Sequence, residues 1–329
     1  MRFAGFGRSF LRLSSRIICG FLSLLPALRI PSRMTESSIA IPAEPIVASA
    51  QAVGTLTPAG RTRRSAAFAF KAHWPEFLME GTELGLFMIS ACVVTAVLEH
   101  PSSPLAHFLP NPSTRRLITG LAMGLTLLAL IHSNWGKRSG AHMNPAFTLM
   151  FFRLRKVEAW DAVFYVMSQF AGGLGGVLVS LLLLGPLLAH PKVNFAATQP
   201  GMRGILAAFV AELLISFLLA LTVLIVSNQQ SISRLTPYFA ASLVAIYITF
   251  EAPFSGMSMN PARTLGSAIP AHAFHALWIY FTAPPIAMLI AAETYVRACS
   301  ARAVYCAKFH HDNDQRCIFR CRYMELKKD

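Results

Sequence analysis

Six apolar segments with almost no charge dominate this chain between residues 77 and 292. A helix needs about 20 mostly apolar residues to cross a bilayer, and these segments meet or approach that length. Only 13% of the residues are charged, against roughly 25% in an average soluble domain. So few charges are too few to cover the surface of a soluble protein. The alternating short strands that would build a barrel are missing from the sequence. The sequence therefore predicts an all-α membrane protein with six transmembrane helices, over residues 77–98, 117–136, 162–191, 204–229, 235–250 and 271–292.

The net charge of +14 comes from 29 Lys and Arg against 15 Asp and Glu, a balance that also occurs in nucleic-acid-binding proteins. With both termini placed on one side of six helices, eighteen of the twenty-three basic residues after residue 33 fall on that side. Cytoplasmic loops retain Lys and Arg, so both termini are predicted to be cytoplasmic. The chain is then a multi-pass protein of the plasma membrane or the bacterial inner membrane. The lipid bilayer accounts for the basic excess, and no nucleic-acid partner is predicted.

An internal repeat divides the apolar region into two halves. Residues 139–149 and 255–265 match at eight of eleven positions. Upstream of each, a Phe-x-x-Glu motif opens a hydrophobic helix, and the glutamates of the two motifs are Glu80 and Glu212. Each half contains three predicted spans, an odd number, so the second half must lie upside down relative to the first. This is the inverted-repeat arrangement found in many membrane transport proteins.

The centre of each repeat reads Asn-Pro-Ala, which predicts a short helix. Asn is a favoured N-cap and Pro a favoured first helical residue, so helices are expected near residues 146–152 and 262–268. Neither is long enough to cross a bilayer, and in inverted copies their N-termini can meet near its midplane. Each N-terminus carries about half a positive charge, and each Asn can offer amide hydrogens to a passing oxygen atom. Such a centre favours neutral hydroxyl-bearing molecules and repels cations and protons.

Two Asn-Pro-Ala boxes in matched contexts resemble those of the aquaporin family, the major intrinsic proteins. The resemblance covers about residues 74–297. It implies an hourglass pore in each subunit, two re-entrant half-helices, a homotetramer, and a passive channel for water or small uncharged solutes with no enzymatic activity and no required cofactor. The residues that carry it are Asn144, Pro145, Ala146, Asn260, Pro261 and Ala262, with Arg263 directly after the second box.

The resemblance also implies a four-residue selectivity filter. Counting back from the boxes places it at Gly124, Ile248 and Met257, together with Arg263. Water-selective members have an aromatic residue at the first position and His at the second, so this filter is predicted to be broader and more apolar. That favours glycerol-like solutes or metalloid acids. Glycerol-type members have Asp after the Arg, whereas this chain has Thr264, which leaves the permeant open.

Several polar residues lie in or near the predicted spans. Glu80 and Glu212 could relay protons, as an ionisable residue in a membrane often does. Their matched positions favour a structural role instead, in which each carboxylate accepts hydrogen bonds from loop N–H groups that lipid cannot satisfy. Glu83 has no explanation from the sequence. His142 either ties down the first box loop or lines the inner vestibule.

A secondary transporter coupled to ions or protons is the alternative function, because such proteins also use inverted repeats and broken helices. Coupling requires a titratable or ion-coordinating site, whereas the predicted midplane offers two Asn caps and two positive helix ends. An enzyme is disfavoured because no catalytic constellation accompanies the boxes.

The predicted domains are a basic and then disordered extension over 1–73, a channel domain over 74–297 with repeats at 74–190 and 203–297, and a basic tail over 298–329. Residues 1–33 contain no Asp or Glu and suggest a targeting segment or an amphipathic arm. Equally, translation could start at Met34. The composition of residues 37–64 predicts a disordered linker.

The tail is rich in Cys and His and could hold zinc. One of two adjacent histidines and three cysteines can supply the four ligands of a tetrahedral site. Alternatively, the tail lies reduced against anionic headgroups with free or palmitoylated thiols. The candidate ligands are Cys306, His310, His311, Cys317 and Cys321.

Overall fold

The computed structural model describes residues 65–326, and all regular secondary structure among those residues is helical, with no strand. Predictions made for residues 1–33 and 37–64 lie outside the described residues. The eight main helices are α1 (Ala66–Glu99), α2 (Pro112–His132), α3 (Pro145–Arg153), α4 (Ala159–Leu184), α5 (Gly204–Ser227), α6 (Thr236–Phe250), α7 (Pro261–Ala271) and α8 (Trp278–Cys299). Shorter helical turns lie at Pro104–Phe108, Asn134–Ser139, Pro186–Ala189, Asn194–Ala196, Ser233–Leu235, Ala252–Ser255, Ala301–Ala303 and Tyr323–Leu326.

Five of the helices are long and apolar enough to cross a membrane, namely α1, α2, α4, α5 and α8. The predicted fifth span corresponds to α6, which has 15 residues and is therefore about 23 Å long. Helical turns at Ser233–Leu235 and Ala252–Ser255 flank it. The all-α membrane fold is confirmed, with the sixth helix shorter than a full span of about 30 Å.

Helix α1 begins at Ala66, well before the apolar run that predicted it. Its polar first turns have partners inside the protein, which explains the extension. His73 Nδ1 lies 2.8 Å from Asp161 Oδ1, and Glu76 pairs with Arg138 at 2.9 Å. The resulting helix has 34 residues.

The two halves of the chain are interlocked. Helix α1 packs against α4, α2 against α6, and α5 against α8, while α7 of the second half packs on α4 of the first and α3 packs on α8. Small residues allow the closest crossing, between α1 and α4. A Cβ added at Gly172 would lie 1.8 Å from the carbonyl oxygen of Gly81, and one at Gly176 would lie 2.2 Å from that of Gly85.

After α8 the chain folds back across one end of the helix bundle, which we call the tail end. Backbone hydrogen bonds fix residues 300–326 there: Phe309 N donates to Gly140 O at 3.1 Å, and Arg320 N donates to Lys156 O at 2.9 Å. Tyr305 N donates to Asn228 Oδ1 at 2.7 Å. The tail is thus a packed layer over the loops that carry the first box.

Candidate functional site

The two Asn-Pro-Ala boxes each start a short helix by side-chain capping. Asn144 Oδ1 accepts from Ala146 N at 2.8 Å, and the next residue, Pro145, opens α3. Asn260 Oδ1 accepts from Ala262 N at 3.0 Å and from Arg263 N at 3.2 Å at the start of α7. With 9 and 11 residues, neither helix can span a bilayer.

The amide nitrogens of the two box asparagines join the halves of the chain. Asn144 Nδ2 donates to Met259 O at 2.7 Å, and Asn260 Nδ2 donates to Met143 O at 2.7 Å. This places the N-termini of α3 and α7 side by side. An amide nitrogen carries two hydrogens, so each asparagine retains one for another acceptor.

The loop before each box has the same unusual backbone. Gly140 and Gly256 have φ of 100° and 78°, which glycine adopts readily. Met143 (φ 47°) and Met259 (φ 55°) adopt left-handed conformations just before the asparagines. Such a conformation costs a residue other than glycine about 1–3 kcal/mol, so other contacts must hold the loops in place.

Two fully buried carboxylates supply those contacts. Glu80 accepts hydrogen bonds from Met143 N and from Gln169 Nε2, the latter at 2.7 Å. Glu212 Oε1 accepts from Ser258 N at 2.7 Å, and its Oε2 accepts from Met259 N at 2.7 Å. Both acids therefore bind loop N–H groups inside the protein.

A second acid contacts the serine that begins each repeated stretch, at positions of the two halves that do not correspond. The sequence left Glu83 unexplained and did not single out Glu251. Ser139 Oγ donates to Glu83 Oε2 at 2.8 Å, and Ser255 Oγ donates to Glu251 Oε1 at 2.5 Å. The serine that begins each repeated stretch was the available signal.

A tyrosine in each repeat then completes the arrangement. Tyr165 Oη donates to Ser139 O at 2.6 Å, and Tyr280 Oη donates to Ser255 O at 2.5 Å. Both box loops are thus tied to the helix that closes their own half of the chain.

A cavity of about 350 Å³ passes between the half-helices. Asn144 and Asn260 lie in its wall. Beyond the second box the wall includes Glu99, Arg116 and Lys192, and towards the tail end it includes Phe309. Cavity and boxes together form one continuous site.

Three of the four predicted filter residues, Ile248, Met257 and Arg263, line this cavity, but Gly124 does not. A Cβ at Gly124 would lie 2.8 Å from Ala241 O, because this glycine lies at the contact between α2 and α6. The prediction for Gly124 was therefore wrong. One residue turns a helix by about 100°, so counting back across the bend at Ser133 and the helical turn at Asn134–Ser139 can select the wrong face.

Met123, the neighbour of Gly124, faces the cavity instead. It is 3% exposed and belongs to a series at helical spacing that includes Thr119 and Leu127. Ile248, on the adjacent α6, is in the same wall. The cavity wall therefore carries Met123, Ile248 and Met257 as apolar side chains, with Arg263 as a cation.

Arg263 lies on the first turn of α7, and its Nη1 atom is buried without a hydrogen-bond partner in the described part of the chain. The residue as a whole is half-buried and lines the cavity, so the rest of its guanidinium side chain can meet a molecule inside it. Thr264 is 1% exposed and bonds to Thr198 Oγ1 at 2.9 Å, so its hydroxyl is engaged in the protein.

His142 combines both roles considered from the sequence. Its Nδ1 lies 3.1 Å from Thr148 Oγ1, and its Nε2 lies 2.7 Å from Ala307 O. The residue also lines the cavity. The first box loop is thus connected to the tail through one imidazole ring.

The tail brings four sulfur and nitrogen atoms together. Sγ of Cys306, Cys317 and Cys321 and one ring nitrogen of His311 all lie within 4.8 Å of one another. Cys306 Sγ is 3.6 Å from Cys317 Sγ, and Cys321 Sγ is 2.9 Å from His311 Nε2. His310 lies outside this cluster, with its ring centroid 4.9 Å from that of His132, so the adjacent histidine, His311, is the one that joins the cysteines.

The electrostatics of the cluster favour a thiolate beside an imidazolium. Hydrogen bonds from Cys306 and Cys317 lower the pKa of the Cys321 thiol. Burial alone would lower the pKa of His311, but its hydrogen bonds to the sulfur atoms of Cys317 and Cys321 raise it to about 9. Thiolate is the form of cysteine that binds metals.

Comparisons of sequence and structure with known proteins agree on one family. Residues 64–295 match the family described as major intrinsic protein. Aquaporin NIP2-2 of Zea mays is 33% identical over 219 residues, covering 65% of this chain and 72% of the maize protein. Aquaporin NIP2-1 of Oryza sativa subsp. japonica is 34% identical over 176 residues, covering 53% and 57%. The aquaglyceroporin structure from Plasmodium falciparum superposes with a TM-score of 0.57 at 19% identity, covering 70% of this chain and 98% of that one, a likeness of fold.

Proposed function

The chain belongs to the major intrinsic protein family and is a passive channel for water and small uncharged solutes, and we propose that the cavity between α3 and α7 is its permeation path. The observation that carries the proposal is the position of Asn144 and Asn260. Both lie in the cavity wall, and each has one amide hydrogen for which residues 65–326 provide no acceptor.

The centre of this path selects against cations. The N-termini of α3 and α7 meet there, each with about half a positive charge, and the asparagines offer donors only. A neutral oxygen can accept from both amides as it passes. A hydrated cation finds no acceptor to replace its water and is repelled by both helix ends.

We propose that Met123, Ile248, Met257 and Arg263 form the selective part of the path. Three apolar side chains and one guanidinium give the wall one polar edge and one apolar face. A small polyol such as glycerol matches that pattern, because its hydroxyl groups can bind Arg263 while its C–H groups contact Met and Ile. Methionine is flexible, so the width can adjust to the solute.

Glu80 and Glu212 are proposed as positioning residues for the box loops. Their support is the set of backbone N–H groups that they accept at Met143, Ser258 and Met259. Proton relay would require an acid in the wall of the cavity, and neither carboxylate lines it.

The remaining proposals concern assembly and orientation. The tail end carries the basic loops and is placed in the cytoplasm, in the plasma membrane or the bacterial inner membrane. Residues 74–297 form the channel domain, with repeats at 74–190 and 203–297. Large apolar side chains are exposed on the outer faces of the bundle, among them Leu125, Leu182 and Phe250, which suits contact with lipid and with other subunits of a homotetramer.

The tail is proposed to bind one zinc ion through Cys306, His311, Cys317 and Cys321. Zn–S bonds of about 2.3 Å in a tetrahedron imply about 3.8 Å between ligand sulfurs, close to the 3.6 Å between Cys306 and Cys317. Three thiolates and one imidazole are a common donor set of structural zinc sites. The channel itself requires no cofactor.

The test is stopped-flow light scattering on proteoliposomes with separate gradients of water, glycerol, urea and boric acid. We expect glycerol flux well above that of empty liposomes, linear in concentration and indifferent to a proton gradient. Water flux without glycerol flux would contradict the polyol proposal. Saturation at millimolar solute together with dependence on a proton gradient would indicate coupled transport and contradict the channel path.

A further inference from the structure

The tail reaches the channel as well as covering the loops around it. Among the described residues after α8, Phe309 is the one that lines the cavity. Its side chain is buried, at 4% exposure, and its ring centroid lies 5.0 Å from that of Phe147, in the first turn of α3. An aromatic ring therefore stands where a solute would leave the cavity at the tail end.

Neighbouring tail residues fix this ring in position. Phe309 N donates to Gly140 O, and the preceding Ala307 O accepts from the His142 ring. The ring of Phe319, also in the tail, stacks on the His142 imidazole, with ring centroids 5.3 Å apart. The first box loop is thus held between the tail and α3.

Lys308 anchors the same segment. Its ammonium is nearly inaccessible and donates to the carbonyl oxygens of Lys137 and Arg316, both at 2.7 Å. A zinc ion with three thiolates and one imidazole has a net charge of −1, so a nearby ammonium is complementary to the loaded cluster.

The cluster and the ring belong to one loop of chain. Cys306 is three residues before Phe309, and Cys317 and Cys321 close the loop from its other end. A metal that binds all four ligands would restrict this loop to the docked conformation. Without metal the same loop is held against the mouth by hydrogen bonds, ring contacts and ion pairs such as Arg234–Asp312 and Arg320–Glu158.

We propose that zinc bound by Cys306, His311, Cys317 and Cys321 holds Phe309 in the tail-end mouth of the channel and so closes it. The proposal rests on the zinc site and permeation path of the preceding section and adds their coupling. A ligand that binds the docked tail and not the released one shifts their ratio about 100-fold at 100 times its Kd.

The experiment uses the full-length protein in proteoliposomes, prepared with ZnCl2 or with EDTA on both sides of the membrane. Metal content is measured on the same samples, and water permeability is measured by stopped flow. We expect about one zinc per chain in the first sample. Permeability should be several-fold higher in the second and should fall again when zinc is restored.

Two variants separate metal binding from closure. Cys317→Ser with Cys321→Ser should lose zinc and give high permeability at every zinc concentration. Phe309→Ala should retain zinc and give high permeability with and without it. Cys299→Ser removes a thiol outside the cluster and should behave as the unmodified protein.

Each alternative result has a distinct meaning. Protein that binds no zinc overturns the metal site while a permeability above that of empty liposomes still supports the channel. Zinc binding without any change in permeability overturns the closure. If a thiol reductant raised the permeability of zinc-free protein, a Cys306–Cys317 disulfide would be what holds the tail at the channel mouth, and the zinc proposal would be overturned. No permeability in any state, Phe309→Ala included, would contradict the permeation path itself.

Discussion

Asn144 donates a hydrogen bond from its side-chain amide to the main-chain carbonyl of Met259, 115 residues away in the other half of the chain, at 2.7 Å. Asn260 returns the same bond to Met143. These reciprocal contacts connect two helix starts, two strained loops and the cavity wall. Each box therefore depends on the other for its position.

Replacing either box asparagine with alanine should lower the stability of the protein, and the two variants should differ in how much they lower it. Asn144→Ala loses the cap bond from Ala146 N and the bond donated to Met259 O. Asn260→Ala loses two cap bonds, from Ala262 N and Arg263 N, and the bond donated to Met143 O. An N-cap contributes about 1 kcal/mol, and an unsatisfied buried carbonyl costs about 1–3 kcal/mol. Thermal unfolding in detergent should show a lower Tm for both variants and a larger loss for Asn260→Ala. Equal stability of the two would contradict the unequal bonding.

Met123 and Gly124 are adjacent but face different surroundings, which makes them a matched pair. Met123→Ala removes an apolar group from the cavity wall and should increase glycerol flux more than water flux in proteoliposomes. Gly124→Ala places a Cβ 2.8 Å from Ala241 O and should lower Tm with little change in the flux ratio. If Gly124→Ala altered the ratio and Met123→Ala did not, the filter would lie on the other face of α2.

The buried acids Glu80 and Glu212 should respond differently to amide substitution. Both oxygens of Glu212 accept hydrogen bonds, so Glu212→Gln must place an NH2 group against an N–H donor. Only one oxygen of Glu80 is bonded, and Glu80→Gln can keep that acceptor. We expect Glu212→Gln to lower the free energy of unfolding by about 1–3 kcal/mol and Glu80→Gln to lower it by less. Thermal unfolding measures both. A more severe effect of Glu80→Gln would show that the charge of that carboxylate, rather than its accepting oxygen, holds the loop.

Gly176 and Gly175 test the crossing of α1 and α4. A Cβ at Gly176 would lie 2.2 Å from Gly85 O, whereas a Cβ at Gly175 has nothing within 4 Å. Gly176→Ala should therefore lower Tm and reduce the yield of monodisperse protein in size-exclusion chromatography. Gly175→Ala should be neutral or stabilising, since alanine is favoured over glycine in a helix by about 1 kcal/mol. Similar behaviour of the two variants would mean that the helices can separate without cost.

Local chemistry made part of this molecule predictable. Capping by Asn144 and Asn260 depends on neighbouring residues, so both half-helices could be placed from the sequence. The cavity face of α2 depends on the conformation of the residues that connect it to the first box, which bend at Ser133, and an error of one residue selected Gly124 instead of Met123. Glu83 gained an explanation only from Ser139, 56 residues away: the repeat marks this serine, but only the fold shows which acid it contacts.

The tail was the least predictable region for a related reason. Its five metal-ligand candidates could be recognised by residue type, and the choice of His311 over His310 required three-dimensional positions. The return of Phe309 to the cavity depends on contacts with Gly140 and Phe147, which belong to the first half of the chain. Sequence composition indicates a basic tail and does not indicate what it covers.

The length of α1 sets where the metal site lies relative to the bilayer. At 1.5 Å per residue its 34 residues extend about 51 Å, some 20 Å more than the hydrocarbon core is thick. Arg316 of the tail contacts Ala72 O and Glu76 in the first third of that helix. We infer that the cysteine cluster lies beyond the acyl chains, at the aqueous boundary, where bound zinc would exchange with the labile zinc pool. Under the closure proposed above, the fraction of conducting channels would then follow zinc availability in the compartment that the tail faces.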